Sequence, residues 1–304
     1  MSLRETLRGT GVAIITPFNN KGLVDFNALE KVLDFVINGG VEYVVTLGTT
    51  GETPTLSKEE KMNVIQFTYE KVRSRVAVVV GIGGNNTAEL ISDLETFPLD
   101  EAVAVLSASP YYNKPSQEGI FQHYKALAKS SPKPILLYNV PGRTGRNMTA
   151  ATTIRLANEV ENIAGTKEAS GDMAQCMEIL RDRPDDFLVV SGDDALALPQ
   201  IACGMDGIIS VAANAFPKEF TDMVRTALKG NFTSAKKIND TLIEAYDILF
   251  TENNPAGVKA FMAEAGLIEN FLRLPLVPLS REVYKRVIAY NSNYKVPQQM
   301  TINN

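Results

Sequence analysis

Short, almost unbroken apolar runs recur along the chain, and each is followed by a stretch in which apolar positions return every three or four residues. The runs are Val12–Pro17, Glu42–Leu47, Val76–Ile82, Ala102–Ser107, Pro134–Asn139, Ile163–Glu168, Phe187–Ser191 and Gly207–Ala212. Segments such as VAVVVGI and VEYVVTL show little alternation. That is how strands buried on both faces read, as in a parallel sheet covered by helices. The intervening stretches carry helix signals. Ser57 precedes KEEKMNVIQFTYEKV with Glu60 three residues on, the spacing of a capping box. Asn86 and Thr87 precede AELISDLETF, Thr149 precedes AATTIRLANEV, and Gly39-Gly40 would stop the first helix.

Eight strand–helix alternations predict an α/β fold, a (β/α)8 TIM barrel occupying residues 1–230. A doubly wound sheet is the rival architecture, but it usually has fewer strands. After Gly230 the strands cease, and FTSAKKINDTLIEAYDILF, NPAGVKAFMAEAGL and SREVYKRVIAYN read as three further helices. They predict a C-terminal α-helical domain, residues 231–304, packed on the barrel. Pro275 and Pro278 mark a stiff connector before the last helix, and the tail from Lys295 reads as loosely held.

Composition narrows the function classes. The 304 residues are 45% hydrophobic and 21% charged, with a net charge of -5, and the lysines and arginines are scattered singly. This gives no electrostatic footprint for nucleic acid or for a membrane surface. The first ten residues hold Arg4, Glu5 and Arg8 without an apolar core, so no signal peptide is read, and no apolar run approaches the roughly 20 residues of a membrane span. Cys176 and Cys203 have no CxxC partner and read as two buried free thiols in a reducing cytoplasm. The expectation is a cytoplasmic enzyme.

In such a barrel the chemistry sits at the carboxyl ends of the strands and in the loops that follow. Those predicted ends hold Thr49 and Thr50, Tyr111 and Tyr112, Tyr138 and Arg143, Lys167, Gly192, and Ile209. Lys167 lies in IAGTKEAS among small and apolar residues. Burial disfavours the charged form of an amine, and a neutral amine can attack a keto group to form an imine that serves as an electron sink. The alternative is a lysine paired with Glu168 or Asp172. By alternation, Tyr138 shares a face with Leu136, and Lys167 shares one with Gly165 and Ile163. If both faces point inward, a phenol stands one strand from the amine, where it can relay protons. The alternative is a Tyr filling the barrel mouth with its hydroxyl on backbone. Thr49 and Thr50 could converge on an anion or serve only as turn residues. Arg143, in a Pro-Gly-Arg turn, could clamp a carboxylate or sit idle on the surface. Tyr111-Tyr112 is more often an interface or core pair than a catalytic one.

Other chemistry finds little support. His123 lies on a helix without a second histidine and reads as structural. Asp193-Asp194 lacks the acidic neighbours of a magnesium site, GIGGNN lacks the glycine spacing of a dinucleotide fingerprint, and no Walker motif occurs. Neither metal nor cofactor is expected.

Six stretches fall at or beside these strand ends: GTTGE at 48–52, SPYYNKPSQEG at 109–119, YNVPGRTG at 138–145, GTKEASGD at 165–172, SGDD at 191–194 and GIISVAAN at 207–214. Together, in this order and spacing, they resemble the dihydrodipicolinate synthase family, within the N-acetylneuraminate lyase superfamily of pyruvate-dependent barrels. The resemblance runs from about Gly9 into the C-terminal helices. It implies that Lys167 forms a Schiff base with pyruvate and that Tyr138, Thr49 and Tyr112 form a proton relay, Tyr112 reaching a neighbouring subunit's site. It further implies that Thr50 and the backbone around Ile209 hold the pyruvate carboxylate, with Gly192 among the substrate-binding positions, and that Arg143 takes the carboxylate of L-aspartate 4-semialdehyde. The reaction implied is an aldol condensation with cyclisation, in lysine and diaminopimelate biosynthesis, by a homotetramer or a dimer. Sialic-acid and keto-deoxy sugar-acid lyases of the superfamily are the runners-up, and a non-catalytic keto-acid-binding barrel is a third reading. Lysine-inhibited bacterial members have an allosteric pocket of Asn, Glu and Tyr with two histidines. Here Asn85, Glu89 and Tyr111 match, but Lys58 and Lys61 stand at the histidine positions. Two ammonium groups would repel a cationic ligand, so weak or absent lysine feedback is expected.

Overall fold

Residues 2–293 are described by the computed structural model, so the tail from Lys295 lies outside the described residues. Eight parallel strands close into a barrel in sequence order. They are β1 (Gly9–Ala13), β2 (Tyr43–Thr46), β3 (Ala77–Gly81), β4 (Ala104–Ala108), β5 (Ile135–Asn139), β6 (Ile163–Glu168), β7 (Leu188–Ser191) and β8 (Gly207–Ser210). The outer helices are α1 (Phe26–Asn38), α2 (Lys58–Val72), α3 (Thr87–Thr96), α4 (Gln117–Ser130), α5 (Ala150–Glu159), α6 (Met173–Asp182), α7 (Ala197–Ala202) and α8 (Pro217–Leu228). Side-chain oxygens of Asp25, Ser57, Asn86, Ser116, Thr149 and Asp172 cap the first six, and Ser57 with Glu60 completes the capping box. The doubly wound alternative is excluded by closure.

β1 lies three residues before the expected Val12–Pro17, because glycines hide its start. Glycine is depleted in strands, yet here crowding demands it. A Cβ on Gly11 would come within 2.1 Å of the Tyr43 ring, and one on Gly207 within 1.9 Å of the Gly9 carbonyl oxygen. Ile14 still donates its N–H to the Val45 carbonyl of β2 at 3.0 Å, and Ile15–Pro17 then leave the barrel, the Ile15 N–H donating to Asn214 Oδ1 at 3.2 Å.

Side chains divide into an inner cluster filling the barrel, including Tyr43, Val79, Leu106, Leu136, Tyr138, Val190 and Ile209, and a larger cluster between strands and helices. In β5, Leu136 and Tyr138 belong to the inner set while Ile135 and Leu137 face the helices. The alternation expected for β6 fails at its start. The register shifts between Ile135 and Leu136, so Ile163 pairs with Ile135 and packs outward while Gly165 pairs with Leu136. Gly165 and Lys167 keep the expected parity; Ile163 does not. Cys176 is buried, but Cys203, at the end of α7, is exposed rather than buried as expected.

Beyond α8 come α9 (Phe232–Thr251), α10 (Ala256–Glu264) and α11 (Arg281–Asn293). α9 runs against α8, and α10 lies against the turn Ala212–Asn214 that follows β8. A buried ion pair ties this extension to the barrel. Lys259 of α10 bonds the Glu52 carboxylate in the loop after β2, and both side chains are fully buried. Lys259 Nζ also donates to the Phe271 carbonyl at 3.0 Å, and Glu52 accepts the Arg273 N–H at 3.0 Å. Burial pulls the Lys259 ammonium down to about 8 against the attraction of Glu52. Removing one partner strands the other charge in the core, at about 3–5 kcal/mol. Lys259→Ala is therefore expected to lower the urea midpoint by that equivalent, and an unchanged midpoint would contradict the anchoring role.

Candidate active site

The carboxyl ends of the strands surround a cavity of about 860 Å³. Lys167 and Tyr138 occupy its floor. Their Cα atoms are register partners across β5 and β6, and Lys167 Nζ stands 4.5 Å from the Tyr138 ring centroid. Both side chains are buried, at 4% and 7% exposure, yet both line the cavity. The carboxylates that could have neutralised Lys167 are engaged elsewhere. Asp172 caps α6, accepting from the N–H groups of Ala174 and Gln175. Glu168 points away from the cavity and accepts from Asn139 Nδ2 at 3.0 Å, Gln175 Nε2 at 3.1 Å and the Ser170 N–H at 2.7 Å. Burial raises the Glu168 carboxyl above its ordinary value, and these bonds oppose the rise. The Tyr138 hydroxyl takes no backbone partner among the described residues, which leaves it free for solute.

Space for the lysine comes from Gly192. A Cβ there would lie 2.8 Å from Lys167 Cε and 2.6 Å from Ala169 Cβ. Thr49 and Thr50 form a 3-10 turn after β2 and both line the cavity. Arg143 sits at the rim on the short helical turn Pro141–Thr144, its side chain exposed. Tyr111, Asn85, Glu89 and Lys61 line the same cavity towards α2 and α3, whereas Lys58 pairs with Asp93 at 3.2 Å.

Two expected residues stand apart. Ile209 is wholly buried beneath the floor, and at the end of β8 it is Val211 that reaches the cavity. Tyr112 is 88% exposed with a left-handed φ of 71° and does not line its own chain's cavity. His123 is also absent from the cavity. Its Nδ1 bonds the Thr87 hydroxyl at 2.9 Å, and burial pulls its imidazole down to about 4. Asp194 is a structural tie, accepting from the Ser210 hydroxyl and from the N–H groups of Val211 and Ala212. Burial raises its carboxyl to about 6. Among the described residues no three of His, Cys, Asp and Glu gather to hold a metal, and no helix is long and apolar enough to cross a membrane.

Residues that sequence reasoning missed come from the extension. Phe250, Asn253 and Asn254 line the cavity from the α9–α10 junction. Asn254 Nδ2 donates to Thr50 Oγ1 at 3.0 Å, and Asn253 Oδ1 accepts from Arg143 Nη2 at 3.1 Å. The available signal was Asn-Asn-Pro between two helical stretches, a corner composition.

The profile of the Dihydrodipicolinate synthetase family matches residues 6–292. The chain is 48% identical to the 4-hydroxy-tetrahydrodipicolinate synthase of Parabacteroides distasonis, over 97% of this chain and 98% of that protein. It superposes on the crystal structure of dihydrodipicolinate synthase from Aquifex aeolicus with a TM-score of 0.93 at 38% identity, covering 96% of this chain and 99% of that one. The chloride-inhibited dihydrodipicolinate synthase of Acinetobacter baumannii, crystallised with pyruvate, matches with a TM-score of 0.92 at 39% identity, covering 95% and 99%. With the barrel, the cavity and these full-length similarities together, the chain belongs to the dihydrodipicolinate synthetase family.

Proposed function

We propose that the chain condenses pyruvate with L-aspartate 4-semialdehyde through an imine on Lys167. The observation that carries this reading is a buried amine with no carboxylate partner among the described residues, 4.5 Å from a tyrosine ring in a cavity rimmed by a guanidinium. The Lys167 amine adds to the keto carbon of pyruvate, and water leaves as the iminium forms. A methyl proton then passes to the Tyr138 relay, giving the enamine. The enamine carbon attacks the aldehyde, whose oxygen takes a proton from the same relay. The amino group of the adduct finally attacks the imine carbon and displaces Lys167 as the ring closes.

Thr49 continues the relay from the cavity wall, and Tyr112, exposed and outside the lining of its own cavity, completes the relay of a neighbouring copy in a homotetramer. Thr50 and the backbone at the end of β8 hold the pyruvate carboxylate, and Arg143 takes the carboxylate of the aldehyde. Fixing two anions side by side saves the entropy and repulsion that oppose their encounter. The substrates supply all the electrons, so the cycle needs no external cofactor.

Arg143 favours a small acidic aldehyde over a sialic or keto-deoxy sugar acid. Assaying both directions tests this: the enzyme is expected to consume aspartate semialdehyde with pyruvate and to leave N-acetylneuraminate intact. Cleavage of N-acetylneuraminate without condensation would overturn the assignment.

Two further outcomes follow from the cavity. In Gly192→Ala the new methyl pushes Lys167 off its line of attack, and displacements of this kind cost about 10²-fold in rate. kcat/KM for pyruvate should fall by that order, and crowding against Ala169 Cβ should lower the thermal midpoint as well; wild-type kinetics would show that Gly192 is not needed for the lysine's placement. Along the α2–α3 side, Lys61 lines the cavity with Asn85, Glu89 and Tyr111, and Lys58 pairs with Asp93 of the same wall. Free L-lysine is therefore expected to inhibit weakly or not at all in a dose series, and inhibition at low micromolar lysine would contradict this.

A further inference from the structure

An exposed arginine samples many rotamers, and holding it in one costs conformational entropy. Arg143 is nevertheless held at the cavity rim. Its Nη2 donates to Asn253 Oδ1 at 3.1 Å and lies 3.5 Å from the Asn254 carbonyl oxygen. Both acceptors are neutral amide oxygens, so the guanidinium is fixed without losing its charge.

Asn253 is itself fixed. Its backbone is left-handed, with φ 78°, a conformation asparagine tolerates better than most residues. Its N–H donates to the Phe250 carbonyl at 3.1 Å, and its Oδ1 also accepts the Asn254 N–H at 2.9 Å. Beside it, the Glu252 carboxylate accepts the Ser280 N–H at 2.6 Å, fastening the corner to the start of α11. The next side chain, Asn254, donates to Thr50. One corner of the C-terminal extension thus grips a residue from each of the two proposed carboxylate sites.

We infer that Asn253 is a positioning residue for the second substrate, aiming the Arg143 guanidinium at its carboxylate without neutralising it. The inference rests on the proposed aldol reaction. It makes the α9–α10 corner, rather than the barrel alone, a determinant of acceptor affinity.

Steady-state kinetics of the full-length wild type, Asn253→Gly and Asn253→Asp test it. Glycine keeps the left-handed backbone and deletes the acceptor. Aspartate keeps an acceptor but adds a charge that pairs with Arg143. Asn253→Gly is expected to raise KM for L-aspartate 4-semialdehyde about tenfold, the lower end of what a hydrogen bond to a charged group is worth. Asn253→Asp is expected to raise it further, although its hydrogen bond survives. The pyruvate KM and the rate of borohydride trapping of pyruvate should stay at wild-type values in both. A wild-type acceptor KM in either variant, or a parallel loss of pyruvate trapping, overturns the inference while the reaction stands. A wild type that binds pyruvate but does not condense the aldehyde overturns the proposed reaction, and this inference with it.

Discussion

A lysine buried in a barrel wall ordinarily satisfies its charge on the nearest carboxylate, and the sequence sets two such groups beside Lys167. The structure diverts both. Asp172 is spent on the N-terminus of α6, while Glu168 turns to the outside of the barrel, where three donors hold it. The Asn139–Glu168 bond spans β5 and β6 one position beyond the Tyr138–Lys167 pair, so the clamp that removes the carboxylate also sets the spacing of phenol and amine. Asn139 Oδ1 in turn accepts the Met148 N–H, and Asn147 bonds Gln175, tying the loop that carries Arg143 to the same network. The nucleophile proposed for this family member depends on that polar network behind the sheet.

The C-terminal helices do more than cover the barrel. Lys259 and Glu52 lock α10 to the loop after β2, and the α9–α10 corner brings Asn253 and Asn254 onto Arg143 and Thr50. Stability and substrate placement therefore share one interface. A buried ion pair is a poor source of net stability, since desolvation offsets most of its attraction. What it supplies here is register, because each charge finds its counter-charge only when α10 is seated, with the Phe271 carbonyl and the Arg273 N–H completing the set.

Much of the fold was legible because a parallel barrel writes itself as repeated apolar runs, each followed by a capped helix. The misreadings have local causes. Gly9 and Gly11 look unlike a strand, although the crowding around Tyr43 requires glycine there. The register shift in β6 turns Ile163 outward, which strict alternation cannot foresee. Lys167, Tyr138, Thr49, Thr50, Gly192 and Arg143 were legible because strand ends converge in this architecture, and the cavity collects all six. At the end of β8 the side chain that lines the cavity is Val211, two positions beyond Ile209, whose backbone rather than side chain was expected to take part. Asn253, Asn254 and the Glu52–Lys259 pair were not legible, since their contacts join residues some 110 to 207 positions apart and no spacing rule reaches that far.

The most direct test of the central claim is to incubate the protein with pyruvate, reduce with borohydride, and locate the added mass by peptide mapping. One reduced pyruvyl group per chain is predicted, on the peptide carrying Lys167, and none in Lys167→Ala. An unmodified wild type, or an adduct that survives that substitution, would contradict the account.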